Sequence, residues 1–164
     1  MSVPEIKGWC PGALRPMRSG DGWVVRVRPR GGRLTSAQAV GVAQLAAACG
    51  SGVIDLSARA NIQLRGIREA AHPALVAGLS ALGLADESAE AEARRNIAVT
   101  PLWAEADGTA RLAVDLEAGL AASGLPLPGK FGFALDTGPA PVLRATSADI
   151  RIERAGPGYL VHAD

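Results

Sequence analysis

The chain has 164 residues, 17 lysines and arginines against 16 aspartates and glutamates, and an apolar fraction of 48%. That length suits one ordinary domain or two small ones, and the balanced charge and ordinary apolar content argue against disorder. No apolar run reaches the roughly 20 residues of a membrane span, the N-terminus MSVPEIKGWCPG lacks the apolar core of a secretory signal, and two cysteines, Cys10 and Cys49, are too few for a disulfide scaffold. The chain therefore reads as cytoplasmic.

Charge is uneven along the chain. From Lys7 to Arg33 the basic residues Lys7, Arg15, Arg18, Arg26, Arg28, Arg30 and Arg33 face Asp21 alone, whereas Asp86–Glu92 is acidic. A basic N-terminal part suggests an anionic partner. The few aromatics are not interleaved with the arginines, which argues against a base-stacking nucleic-acid surface. Only Lys7 and Lys130 are lysines, so Lys130 stands out against the arginine-rich background as a candidate for specific chemistry.

In chain order, Gly22–Arg28 (GWVVRVR) reads as a strand, with Arg26 and Arg28 on one face and Val25 and Val27 on the other. Thr35 opens a helix with Gln38 as its capping-box partner, Val42, Leu45, Ala46 and Cys49 form its apolar stripe, and Gly50 supplies the stop. Val53–Leu56 and Asn61–Leu64 read as strands joined by Ser57–Ala60. A second helix follows, with Pro73 in its first turn and Leu75, Leu79 and Leu82 on one face, ended by Gly83.

Together these elements make a β–α–β–β–α unit close to a ferredoxin-like α+β half. Ala85–Ala93 reads as a linker or a frayed helix. Beyond it, Asn96–Leu102, Lys130–Leu135, Asp149–Glu153 and Tyr159–His162 read as strands and Asp115–Ser123 as a helix stopped by Gly124. The expected organisation is a ferredoxin-like half-domain over 1–84, a linker over 85–94 and the start of a second, incomplete α+β domain over 95–164. The second sheet has nothing left to cover it, which points to a larger architecture or a partner chain.

Three features carry candidate chemistry. Arg26 and Arg28 project from one strand face. Arg59, Asn61, Gln63 and Arg65 share a parity and line one face if the strand is extended. Arg94, Arg95, Asn96 and Lys130 sit at element boundaries, where sites often lie. Each of the first two reads equally as a solvated face. As a set they suit a large, multiply charged anion, because arginine forks pair with carboxylates and lysine acts as a compact charge. No Walker loop, G-x-G-x-x-G helix or C-x-x-C pair competes with this reading. His72 reads as a helix-start residue, and His162 has no partner at metal-ligand spacing.

The motifs VVRVRPRGGRLT and DLSARANIQLRGI resemble the N-terminal half-repeat of the sirohaem-dependent sulfite and nitrite reductases, and RRNIAVTP and LPGKFGFALD resemble the segments that follow. The lead-in GWCPGALRPMRSGDG resembles the precorrin-3B synthases, the aerobic cobalamin-pathway branch of that superfamily. The resemblance implies that Arg26, Arg95 and Lys130 serve the chemistry. It implies that Arg28, Ser57, Arg59, Asn61, Gln63, Arg65 and Asn96 contact a tetrapyrrole and its carboxylates.

The implied activity is oxidation of precorrin-3A with molecular oxygen, by C20 hydroxylation and lactone closure. It would use a 4Fe-4S cluster, with iron or sirohaem as a further candidate cofactor, and reducing equivalents from NAD(P)H. Sulfite reductases carry a second lysine where Gly132 stands here, which fits a neutral co-substrate better than an oxyanion. The four cluster cysteines and the second pseudo-repeat are absent, so the motifs correspond to roughly the first half of a family member. A missing C-terminal half or partner chain is expected to supply the rest. The alternatives are a sulfite or nitrite reductase half-domain and a non-catalytic tetrapyrrole-binding module. No membrane partner is implied.

Overall fold

The structure is a computed structural model and describes residues 10–164; Lys7, Trp9 and the rest of the first nine residues lie outside the described residues. Two four-stranded sheets organise the chain. The first comprises β1 (Met17–Ser19), β2 (Gly22–Val27), β3 (Ile54–Leu56) and β4 (Ile62–Ile67), in the order β1-β2-β4-β3 and antiparallel throughout.

Helices α1 (Ser36–Cys49) and α2 (His72–Ala81) cover one face of this sheet. Val42 and Ala46 of α1 and Leu75 and Leu79 of α2 share a buried core with Val25, Val27, Leu64 and Ile67. The expected capping box forms: Gln38 N donates to Thr35 Oγ1 at 3.1 Å and Thr35 N to Gln38 Oε1 at 3.0 Å.

Alternation along β2 and β4 puts the valines and leucines on the helices and the polar side chains opposite, as the sequence predicts. The alternation slips once. Trp23 pairs with Ile67 but Val25 with Leu64, and Gly66 takes a left-handed φ of 62° at the irregularity. This bulge lets Ile62, Leu64 and Ile67 all reach the core despite their uneven spacing. β1 is an addition that the sequence reading did not anticipate, because three residues carry too little periodicity to register.

The second sheet comprises β5 (Ile97–Val99), β6 (Phe133–Asp136), β7 (Ile150–Ala155) and β8 (Gly158–Ala163). The first three run parallel and β8 returns antiparallel. Helix α4 (Thr109–Ser123) packs Ala113, Leu112 and Leu116 on Val99, Leu135 and Ile152. It begins at Thr109, well before the expected Asp115, because Asp107 accepts from Ala104 N and Thr109 N and stabilises the entry to the helix. The acidic stretch contains a helix, α3 (Ala89–Arg94), whose first turn is capped by Ser88 Oγ accepting from Ala91 N.

Strand edges remain open at β3, where Leu56 is 84% exposed, and at β8, which exposes Tyr159, Leu160 and Val161. The two sheets meet through the loop after β2. Trp103 Nε1 donates to Gly31 O at 3.2 Å, and the Arg33 guanidinium stacks 3.6 Å from the Trp103 ring centroid. No helix among the described residues is long and apolar enough to cross a membrane.

Candidate functional site

The polar face of the first sheet lies opposite the helices, and Arg28 on it meets Glu92 of α3. Arg26 lies opposite Gln63 in the β2–β4 register. Arg28, just past the end of β2, is 6% exposed, and Asn61, just before β4, is also buried. Arg26 Nε, Arg28 Nε and Asn61 Nδ2 are buried with no hydrogen-bond partner. Buried donors normally find acceptors, so three orphans on one face are unusual. Every one of them is a donor, which makes this face electron-poor and suited to carboxylate or other anionic oxygen.

Arg28 also meets an internal anion. Its Nη1 lies 3.0 Å from Glu92 Oε1, an ion pair without hydrogen-bond alignment. Burial pulls the Arg28 guanidinium below its ordinary pKa; Glu92 opposes that pull, while Arg26 and Arg95 add repulsion. Glu92 in turn accepts from Ala13 N at 2.6 Å and Leu14 N at 3.2 Å, tying α3 to the lead-in. Gly12 is needed there, because a Cβ would lie 2.3 Å from Glu92 Oε2. A cavity of about 160 Å³ adjoins this pair and is lined by Cys10, Arg15, Arg28, Glu90 and Gly129 among others.

Arg95 sits differently from an open catalytic cation. It is buried, and it grips Asp86 with Nε at 3.0 Å and Nη2 at 2.8 Å while Nη1 donates to Arg28 O at 3.0 Å. Arg30 joins from the other side, bonded to Asp86 at 3.2 Å and Glu117 at 2.7 Å. Burial works against the Arg30 charge, but Glu117 and Asp86 more than offset it and hold its pKa above the ordinary value.

Ser57 and Asn61 close the β3–β4 turn, with Ser57 N donating to Asn61 O at 2.8 Å and Asn61 N to Ser57 Oγ at 3.2 Å. Arg59 lies on this turn and not on the strand, so it leaves the row of Asn61, Gln63 and Arg65. Its Nη1 reaches Lys130 O at 3.3 Å, which brings the turn to the loop before β6. Asn96 Nδ2 anchors the same loop at Phe131 O, 3.2 Å away, while the Lys130 side chain is exposed. Arg65 stands apart at the far end of β4, 3.3 Å from Asp21 and 3.7 Å from Asp55.

The structure thus groups Arg26, Arg28 and Asn61 on the polar face of the first sheet, brings Arg59 and Asn96 to the loop that holds Lys130, and engages Arg95 and Arg65 in internal ion pairs. Sequence reasoning missed the carboxylates Glu92, Asp86 and Glu117. The acidic run 86–92 was the available signal for Asp86 and Glu92, and it read as a linker or a frayed helix; Glu117 lies outside it. His72 starts α2 as expected and also donates from Nε2 to Ala13 O at 2.8 Å. The cysteines do not converge: Cys49 is buried in the first core and Cys10 is half-buried at the lead-in. Among the described residues no three His, Cys, Asp or Glu side chains come together to hold a metal.

Three comparisons bear on this arrangement. Residues 15–82 match the nitrite/sulfite reductase ferredoxin-like half domain. Over 153 residues, 90% of this chain, the sequence is 37% identical to a precorrin-3B synthase of Sinorhizobium sp, of whose length it spans 32%. That share is smaller than the half suggested by the motif order. The structure of the Mycobacterium tuberculosis NirA protein superposes with a TM-score of 0.65 at 25% identity, covering 89% of this chain and 29% of NirA. Residues 15–82 thus have the sequence pattern and fold of a nitrite/sulfite reductase ferredoxin-like half domain, and the chain as a whole is similar to a precorrin-3B synthase of whose length it spans about a third.

Proposed function

We propose that this chain is the tetrapyrrole-holding part of a precorrin-3B synthase-like oxidoreductase of aerobic cobalamin biosynthesis, with precorrin-3A as its ligand. The observation that carries this reading is the set of buried, unpartnered donors on Arg26, Arg28 and Asn61. A flat macrocycle rimmed with acetate and propionate groups supplies the acceptors that this face lacks. Arg59 on the β3–β4 turn bonds the Lys130 backbone of the loop before β6, and in this reading the two side chains add cations for further carboxylates of the macrocycle. The donors would hold and orient the macrocycle, and Gln63 beside Arg26 adds a further amide.

The complete enzyme's redox chemistry, O2-dependent hydroxylation at C20 followed by lactone closure with electrons from NAD(P)H, is part of the same proposal. An iron–sulfur cluster or macrocycle-bound iron supplies the electron transfer when bound. The side chains described here do not fit a cluster: Cys10 and Cys49 lie apart and no ligand group converges, so no step is assigned to it. Gly132 favours the cobalamin reading over sulfite or nitrite reduction. A Cβ at 132 would lie 2.9 Å from Asn96 Nδ2, so the second lysine of an oxyanion site has no room without moving Asn96.

Titration of the 164-residue chain with uroporphyrin I, an octacarboxylate macrocycle, tests the binding role by absorbance. Saturable binding is expected. A combined Arg26→Ala, Asn61→Ala variant should weaken it by about tenfold or more, since hydrogen bonds to charged groups contribute roughly 1.5–3 kcal/mol. Arg65→Ala should change it little. Failure of the wild type to bind, or undiminished binding by the double variant, overturns the reading.

A further inference from the structure

Glu92 occupies a site built for a carboxylate. Two adjacent backbone N–H groups, Ala13 and Leu14, converge on its oxygens, the Arg28 guanidinium lies beside it, and Gly12 leaves the space that its Oε2 fills. The slot does not depend on Glu92 for its shape. The lead-in is pinned independently by Arg26 N to Gly12 O at 3.2 Å, Gly12 N to Arg15 O at 2.9 Å and His72 Nε2 to Ala13 O at 2.8 Å.

The occupant is less firmly held than the slot. It arrives on α3, six residues long, and a helix of that length contributes little stability of its own. Its pairing with Arg28 is unaligned, and it leaves Arg28 Nε and Nη1 without a hydrogen bond. A carboxylate not tethered to α3 would be free to align with one edge of the guanidinium and give at least one of these donors a bond that Glu92 does not. The adjoining cavity, with Cys10, Arg15 and Ala89 on its wall, gives such a group a way in.

We infer that Glu92 is an internal stand-in for a ligand carboxylate: a carboxylate substituent of the bound macrocycle displaces it, takes over Ala13 N, Leu14 N and Arg28, and releases α3. This rests on the tetrapyrrole-binding reading and adds to it a ligand-operated latch. The latch couples binding at the first sheet to the segment that leads into the second. Because the slot is closed in the free chain, the observed affinity is lower than the intrinsic one by the open fraction.

The test uses uroporphyrin I with the wild-type chain and with Glu92→Gln, which keeps the side-chain volume but gives up the competing charge. The variant is expected to bind about tenfold more tightly. Hydrogen exchange of the wild-type chain is expected to show residues 89–94 exchanging faster with uroporphyrin bound, while 12–15 stay protected. If wild type and Glu92→Gln bind equally and exchange at 89–94 is unchanged or slowed, Glu92 is a fixed structural pair and the latch is wrong, while the binding reading survives. If neither protein binds, the binding reading itself has failed and the latch falls with it. Should Glu92→Gln not fold, the wild-type exchange measurement decides alone.

Discussion

At Asp107 a single carboxylate organises the entry to α4. Its oxygens accept from Ala104 N at 2.7 Å and Thr109 N at 2.9 Å. Hydrogen bonding from Thr109 first, with the Ala104 and Thr109 N–H groups and nearby Arg154, holds its pKa below the ordinary 3.8 against the opposing effect of desolvation. Asp21 and Asp164 are lowered as well, the first chiefly by its backbone bonds and the second by Arg151. A carboxylate whose folded pKa lies below its unfolded one binds fewer protons when folded around pH 3.8, so unfolding takes up protons and stability rises with pH there. Its contribution is fully present above the unfolded value and is lost as pH falls through the folded value. The urea midpoint should therefore be level from neutral pH down to the carboxylate range and drop below it. Asp107→Asn should lower the neutral-pH midpoint and flatten part of the acid limb; an acid limb identical to wild type would count against this role. Cys10 is half-buried at the lead-in, on the wall of the cavity beside Arg28.

Among the elements, α1 shows how a correct expectation can have a different cause. Gly50 ends the helix as anticipated, but its φ is −143°, not the left-handed value of a glycine C-cap. Glycine is required there by proximity: a Cβ would lie 2.7 Å from Arg65 O and 2.6 Å from Ile67 Cδ1. Gly50→Ala should destabilise the chain by about 2 kcal/mol through overpacking against β4, seen as a lower urea midpoint; a wild-type midpoint would refute the contact. Helix α1 itself was fully legible, because its capping box and apolar stripe are local in sequence. The short strand β1 and the early start of α4 were not. The first depends on pairing with β2, and the second on Asp107 satisfying N–H groups that carry no hydrophobic signal. Helix α3 was half legible, as an acidic stretch that could be linker or helix, and the buried partner of Arg28, Glu92, was hidden in that run.

In the whole molecule, the two sheets are joined by a charge network that is buried at Asp86 and Arg95 and half exposed at Arg30. Asp86 holds Arg95 bidentately and also meets Arg30, whose other partner is Glu117 on α4. Removing one partner of a buried pair leaves an uncompensated charge, so Asp86→Ala should cost about 3 kcal/mol, and a double variant with Arg95→Met should recover part of that loss. Urea unfolding of the three variants and wild type measures this cycle, and additive losses would show that the pair is not coupled. By itself the sequence determined the ferredoxin-like half, the helix stripes, the face on which Arg26, Arg28, Asn61 and Gln63 lie, and the identity of the relatives. All of these follow from local periodicity or from ordered motifs. Only the tertiary structure decided which cations remain available. Coulombic pairing acts over a few ångströms, and Glu92 reaches Arg28, as Glu117 reaches Arg30, across long stretches of chain that no local pattern spans.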